Sequence, residues 1–355
     1  MSTRVLVGMS GGIDSSVAAL LLKRAGRDVI GVTMMVYSGA AAEGASDSCY
    51  GPGEAEDADL ASRVCGELGI AHRVVDLKAE YRALVIEYAR SEYLAGRTPN
   101  PCVRCNQRVK FGLLVDRLAR SEGVDFDSFA TGHYCRIAWL PDRGRFALRK
   151  ASDPAKDQSY FLCMLSQEQL RKALFPLGEL TKARVREIAR EAGLPNHDRP
   201  ESQDFASGGY RAHLALPESE GPVVDGEGRR LGSHRGVWGF TVGQRRGLGV
   251  AGSAPLYVTR IEPETNTVVA GPEETLYSRD ISVRDVNWAA RETPSAPLRL
   301  SVKIRSRTPE APARVTPAGE GRAAISFDEP QRAVARGQWA VFYDGDILEG
   351  GGVIE

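Results

Sequence analysis

At 355 residues, 42% of them hydrophobic and 26% charged, the chain has the composition of a globular protein of two or three domains. Its 46 basic residues are balanced by 46 acidic ones, which excludes coating of nucleic acid by bulk charge. No apolar run nears the roughly 20 residues that cross a membrane. Six cysteines do not describe a disulfide scaffold, and the N-terminus has too short an apolar core for a signal peptide, so the expected location is cytoplasmic.

The segment RVLVG at 4–8 reads as a short buried strand. A glycine-serine turn follows, then a helix whose faces are marked by Val17, Leu20, Leu21 and Arg24. DVIGVTMMVY reads as a second strand, EDADLASRVCGELGI as a helix, HRVVDL as a strand and 79–94 as a helix. Alternation of this kind predicts a parallel sheet covered on both faces, with ligands at the carboxyl ends of its strands. The Gly8–Ser16 turn lies at such an end. Its glycines allow close backbone approach, helix-start N–H groups attract an anion, and Ser10, Ser15 and Ser16 add hydroxyls. It lacks the lysine of GxxxxGK[ST] and does not spell GxGxxG.

In GRTPNPCVRCNQRVKFG, residues 96–112, Cys102 and Cys105 form a CxxC pair ahead of a predicted basic helix. That spacing alone leaves open thioredoxin-like redox chemistry, a zinc site, an iron–sulfur site and a sulfur-transfer nucleophile. A helix start and the neighbours Arg104 and Arg108 favour the thiolate of Cys105. Cys65 and Cys163 read as core residues, Cys49 as a loop residue. Further on, LTKARVREIAREAGLPNHDRP reads as a helix capped by Thr181 and ended by Gly193 and Pro195. From about residue 207 short alternating segments begin, with a hairpin turn at Asp225–Gly228; from about 297 the alternation fits a small β-barrel. Basic runs around 229–246 and 303–307 permit an RNA partner.

The spelling SGGIDS resembles the PP-loop of enzymes that split ATP between its α and β phosphates. Together with RTPNPCVRCNQRVKFG, ATGHY, KDQSYFL, ESQD, TVGQRRGLG, VNW, VKIRSR and the C-terminal block from FDEPQ, it makes the chain similar to the tRNA-specific 2-thiouridylases (MnmA type) over nearly its whole length. The resemblance implies an α/β fold. A parallel-sheet, adenine nucleotide alpha hydrolase-like PP-loop domain (1–205) is expected, then a small central β-rich domain that contacts tRNA (206–291) and a C-terminal β-barrel (292–355). It implies a tRNA-uridine 2-sulfurtransferase that adenylates the wobble uridine, position 34, and delivers sulfur to C2 with release of AMP and pyrophosphate.

By the same resemblance Gly8, Met9, Ser10, Gly11, Gly12, Ile13, Asp14 and Ser15 surround the ATP phosphates, with Asp14 near magnesium, while Met34 and Gly132 line the adenosine pocket. Asn100, Pro101 and Cys102 face the uracil, and Cys105 is the nucleophile. His133, Lys156, Asp157, Gln158, Arg305, Ser306 and Gln338 meet tRNA. The implied partners are the tRNA anticodon region and a sulfur donor protein or inorganic sulfide, with no membrane.

One departure stands out. Well-known members of the family carry a second cysteine in a block resembling E-S-Q-D-x-C, where this chain has Ala206, and no cysteine follows Cys163. Cys102 could then resolve a persulfide on Cys105, or Cys49, Cys102 and Cys105 could hold three irons of a four-iron, four-sulfur cluster. A PP-loop amide-forming ligase and a non-catalytic ATP- and tRNA-binding adaptor are the alternatives to the whole reading.

Overall fold

The computed structural model describes residues 3–39, 48–121, 123–200, 204–206, 213–250 and 254–355. The chain folds as two compact units. One comprises Met1–Val85, Cys102–His213 and Asp346–Leu348; the other comprises Ile86–Pro101, Leu214–Gly345 and Glu349–Glu355.

The first unit begins with β1 (Arg4–Gly8), α1 (Ile13–Arg24), β2 (Asp28–Met35), β3 (Ser48–Tyr50), α2 (Glu54–Glu67), β4 (Ala71–Asp76) and α3 (Lys78–Tyr81). The next helix, α4 (Glu87–Leu94), belongs to the second unit. After it α5 (Pro101–Arg104) runs on through Cys105–Leu114 in wider, π-type turns. Then come β5 (Ser128–Ala130), the hairpin of β6 (Arg136–Leu140) and β7 (Arg145–Arg149), α6 (Gln167–Lys172), β8 (Ala173–Leu174), α7 (Lys182–Glu191) and β9 (Asp204–Ala206).

The main sheet has the order β4-β2-β1-β5-β8, and every neighbouring pair is parallel, as the strand–helix alternation predicts. Central β1 buries Val5, Leu6 and Val7 almost completely. One core gathers Val17, Ala18 and Ala19 of α1, Val64 and Cys65 of α2, and Val185, Ile188 and Ala189 of α7. The chain steps outward from β1 to β2 and β4, then returns to the far side of β1 with β5. That reversal makes a topological switch point between β1 and β5, and ligands gather at the carboxyl ends of the strands at such points.

The continuous helix expected over 79–94 is divided. Wider turns at Arg82–Ile86 separate α3 from α4, and the two units part there. The reason lies in Glu92 of α4, which is buried in the second unit and receives a two-pronged bond from Arg97, at 2.8 and 2.6 Å. Arg284 stands 3.6 Å from the same carboxylate.

In the second unit β10 (Gly221–Val224), β11 (Arg230–His234), β12 (Tyr257–Glu262) and β13 (Thr267–Gly271) form a sheet in the order β11-β10-β13-β12. Val223, Val258, Val268 and Phe240 fill its core. The turn expected at Asp225–Gly228 is present, with Gly228 at φ +84°. A second sheet takes β14 (Tyr277–Asn287), β15 (Leu298–Lys303), β16 (Ala311–Pro317), β17 (Ala323–Arg332), β18 (Trp339–Asp344) and β19 (Ile347–Ile354). These six strands run in the order β14-β17-β16-β15-β18-β19, pairing of β14 with β19 closes them into a barrel, and β7 and β6 extend the sheet from β19. The inward side chains alternate, as at Ala323, Ile325 and Phe327. A parallel-sheet domain, a β-rich module and a closed barrel therefore follow one another as the sequence implies. Among the described residues no helix is long and apolar enough to cross a membrane.

Candidate active site

Gly8 ends β1, and the loop Met9–Gly12 carries the chain into α1. Gly12, the N-cap of α1, supplies no side-chain acceptor, which leaves the N–H groups of the first turn suited to an anion. Gly11 adopts φ +73°, and a Cβ there would lie 2.7 Å from the Asp57 carbonyl oxygen, so glycine is required. Serines brace the loop: Ser15 Oγ accepts from the Ser10 N–H at 3.2 Å and donates to the Gly12 carbonyl at 3.0 Å. From beyond α7, Asn196 Nδ2 donates to the Gly11 carbonyl at 2.8 Å and to Ser16 Oγ at 2.9 Å. Arg199 pairs with Asp57 at 2.5 Å behind the same loop.

Asp14 projects from the first turn of α1, and its Oδ1 accepts from Tyr134 Oη at 2.8 Å and Lys182 Nζ at 2.7 Å. Gly132 presses on this turn, since a Cβ there would stand 2.8 Å from both Asp14 C and Ser15 N. Met34 lies half-buried near the carboxyl end of β2. His133 is hydrogen-bonded to Thr131 Oγ1 at 2.8 Å and flanked by Phe111 and Phe175, with ring centroids 6.5 and 6.4 Å away. Loss of solvation, reinforced by the charge of Lys110, pushes its pKa down to about 3. It is a neutral imidazole at physiological pH.

Cys102 and Cys105, one turn apart, are not joined in a disulfide; Cys102 is half-buried and Cys105 only 6% exposed. Their helix is docked by Phe111, whose ring packs 5.2 Å from that of Phe129 on β5. The Phe129 ring in turn lies 3.4 Å from where a Cβ on Gly8 would stand. Asn106 Nδ2 donates to the Phe161 carbonyl at 3.0 Å, and Gln169 Nε2 to that of Gln107 at 2.8 Å. The phosphate-loop strand and the cysteine helix are thus joined through two aromatic rings within one unit. Burial pushes the Cys65 thiol up to about 11 and those of Cys135 and Cys163 well above the usual range, so these three are protonated core thiols.

The donor sets differ in how well they suit a metal. Tyr134 and Lys182 both bond Asp14 through Oδ1, and a single carboxylate together with substrate phosphates is how magnesium is commonly held, so that ion fits. Among the described residues no group of three or more His, Cys, Asp or Glu is arranged to hold a metal. Cys102 and Cys105 supply two thiols where a cluster with one open iron takes three. Cys49 belongs to β3 by its backbone, but its side chain lies outside the described residues, as do Glu201, Ser202 and Gln203. β3 pairs in parallel with β9, setting Tyr50 opposite Ala206.

Residues 3–206 match the family described as the tRNA methyl transferase HUP domain, 213–272 the tRNA methyl transferase PRC-barrel domain and 278–354 the aminomethyltransferase beta-barrel domain. A tRNA-specific 2-thiouridylase MnmA from Chloroflexus aggregans is 47% identical over 99% of this chain and 98% of its own length. The chain belongs to the 2-thiouridylase family. Relatives of the same name from Endomicrobium trichonymphae and Clostridioides difficile are 42% and 41% identical, over 99% and 100% of this chain and 98% and 99% of theirs. Among solved structures, an NMN synthetase from Francisella tularensis matches with a TM-score of 0.36 and 16% identity over 61% of this chain and 73% of that one, too loosely to bear on the site.

Several residues that the 2-thiouridylase resemblance assigns to tRNA are engaged by the protein itself. In the first unit Asp157 accepts from the Ala151 N–H at 3.0 Å and from Ser159 Oγ at 2.8 Å. Gln158 brackets Tyr134, accepting from its N–H at 2.9 Å and donating its own N–H to the Tyr134 carbonyl at 2.8 Å. Lys156 is half-buried beside them. In the second unit Gln338 Nε2 donates to the Thr98 carbonyl at 2.8 Å, and the Thr98 N–H to the Arg336 carbonyl at 2.8 Å. Arg305 donates to the carbonyls of Val242 and Ala333 at 3.0 and 2.7 Å, while Ser306 next to it is half-buried. Gln338 thereby anchors the TPNP segment that presents half-buried Asn100 and buried Pro101.

Four residues at the site escaped the sequence reading: Lys182, Tyr134, Asn196 and Arg199. Lys182 did leave a signal. It opens α7 with no acidic residue in the first turn, and a cation at the positive end of a helix is unfavourable unless an anion faces it.

Proposed function

We propose that this chain is a tRNA 2-thiouridylase that uses ATP to activate the wobble uridine and replaces its O2 with sulfur carried by Cys105. The observation that carries the reading is the packing of Gly8 on Phe129 and of Phe129 on Phe111, which joins the phosphate loop to the cysteine helix. An amide-forming ligase has no need of such a pair of thiols.

In the first step uridine O2 attacks the α-phosphorus, the bond to the bridging oxygen breaks, and pyrophosphate leaves with the electron pair while N3 loses its proton. Asp14 is the residue to hold magnesium, which neutralises phosphate charge. In the second step the outer sulfur of a Cys105 persulfide attacks C2, and AMP leaves with the former O2. The Cys102 thiolate then attacks Cys105 Sγ. A Cys102–Cys105 disulfide forms, and the sulfur left on C2 becomes the thiocarbonyl as N3 regains a proton. Inorganic sulfide, or a donor protein's equivalent, opens that disulfide at Cys105 and restores both persulfide and thiol. The cycle converts uridine, sulfide and ATP to 2-thiouridine, AMP and pyrophosphate with no net redox change. Cys102 fills the resolving role that Ala206 cannot. The tRNA substrate is consistent with a cytoplasmic location.

Cys105→Ser is expected to abolish thiolation while ATP binding is retained. Cys102→Ser, loaded with a persulfide, is expected to stop with the base linked to Cys105 through a disulfide. Continued turnover by either variant removes that cysteine from the mechanism.

A further inference from the structure

Lys182 reaches Asp14 from the start of α7, a helix that shares the core of the first unit with α1. Its backbone N–H donates to Asp153 Oδ2 at 3.0 Å, and Thr181 caps the helix by accepting from the Arg184 N–H. The side chain, 11% exposed, passes the face of Tyr134 with Nζ 5.8 Å from the ring centroid and ends 2.7 Å from Asp14 Oδ1. Asp14 is the one acid in the first turn of α1, where uncapped N–H groups favour an anion. Its carboxylate alone would repel a triphosphate. An ammonium on a flexible stem at the same spot reverses the balance and can be shared between the two.

We infer that Lys182 binds the β- and γ-phosphates of ATP and neutralises pyrophosphate as it leaves. The inference rests on the proposed adenylation. As the bond from the α-phosphorus to the bridging oxygen breaks, negative charge grows on the departing pyrophosphate, and a pre-positioned ammonium stabilises that growth more than it stabilises the ground state. Tyr134 is the positioning residue: its hydroxyl bonds the same Asp14 oxygen, and its ring lines the path of the lysine stem. The bland reading is that Lys182 only balances the charge of Asp14. That reading predicts no difference between nucleotides with and without a β-phosphate.

The test compares binding of AMP and of the uncleavable analogue α,β-methylene-ATP to the full-length protein with magnesium. Loss of a charge-assisted contact predicts that Lys182→Met weakens the analogue about 10- to 100-fold and leaves AMP within about threefold, with Lys182→Arg recovering most of the loss. A double variant, Asp14→Asn with Lys182→Met, removes both charges and so avoids a stranded carboxylate. It is expected to show the same analogue-specific loss relative to Asp14→Asn alone. Equal weakening of both nucleotides, or none, overturns the assignment. Failure of the wild-type protein to bind the analogue overturns the adenylation reading, and the assignment with it.

Discussion

Replacing Gly132 by alanine probes the closest backbone contact of the site. The new methyl would stand 2.8 Å from Asp14 C and Ser15 N and 3.1 Å from Asp14 Cβ. Carbon–carbon contacts are comfortable at about 3.5–4.0 Å, so something must move by about 0.7 Å or more. Neither side yields easily. The first turn of α1 is anchored by Ser15 and Ser16, 4% and 0% exposed. The facing loop is tied by the Thr131 N–H to the Leu174 carbonyl at 3.2 Å and by Gln158 on both sides of Tyr134. Overpacking of this kind costs about 1–3 kcal/mol. If about 1.4 kcal/mol of that falls on the phosphate loop, ATP affinity drops about tenfold. Urea titration reads the first quantity as a lower midpoint at unchanged slope, and nucleotide titration reads the second. Gly12→Ala is the control: with φ −81° and Ser10 Oγ at 3.5 Å as the nearest atom, it should shift stability by less than about 1 kcal/mol. A Gly132→Ala protein with wild-type midpoint and wild-type ATP affinity would refute the close approach and the role given to this loop.

Gln338→Ala removes the anchor on Thr98 and should lower stability by about 1 kcal/mol and kcat/KM for tRNA, with ATP affinity unchanged; equal loss of ATP affinity would contradict a role confined to the TPNP segment. His133 titrates near 3 when folded and at its ordinary 6.5 when unfolded, so the unfolded chain binds more protons between those values. Its contribution is therefore complete above pH 6.5 and is lost as pH falls toward 3, and burial lowers His72 and His234 in the same direction. Between pH 7.5 and 5.5 the wild type should lose about 1 kcal/mol more than His133→Asn in urea unfolding, and parallel losses would show the imidazole to be well solvated. The dithiol route also predicts that Cys49→Ala keeps thiolation within about threefold, an effect of less than about 1 kcal/mol. Iron and acid-labile sulfide in anaerobically purified protein, lost together with activity in that variant, would reassign the sulfur to a cluster.

The parallel sheet could be read from sequence because buried strands and amphipathic helices announce themselves locally, as Val5–Val7 and the Thr181-capped α7 do. The glycine-serine turn between β1 and α1 was legible for the same reason: its glycines and serines are contiguous. What escaped was whatever depends on distant partners. Lys182 meets Asp14 across 168 positions, and Gln338 meets Thr98 across 240, so neither pairing leaves a local pattern. The division of 79–94 between two units follows from Glu92 meeting Arg284, a contact that periodicity does not encode. The helix start and flanking arginines at Cys105 were legible, but not that the thiol is only 6% exposed, because that follows from Phe111, six residues on, packing against Phe129 of β5.

The most direct test of the central claim is a stoichiometric one. Protein in its Cys102–Cys105 disulfide form is incubated with ATP, magnesium, sulfide and unmodified tRNA, and AMP and 2-thiouridine are counted in the same reaction. One AMP is expected for each 2-thiouridine, and no sulfur incorporation when ATP is replaced by its α,β-methylene analogue. Release of ADP in place of AMP, or 2-thiouridine formed without cleavage between the α and β phosphates, would contradict it.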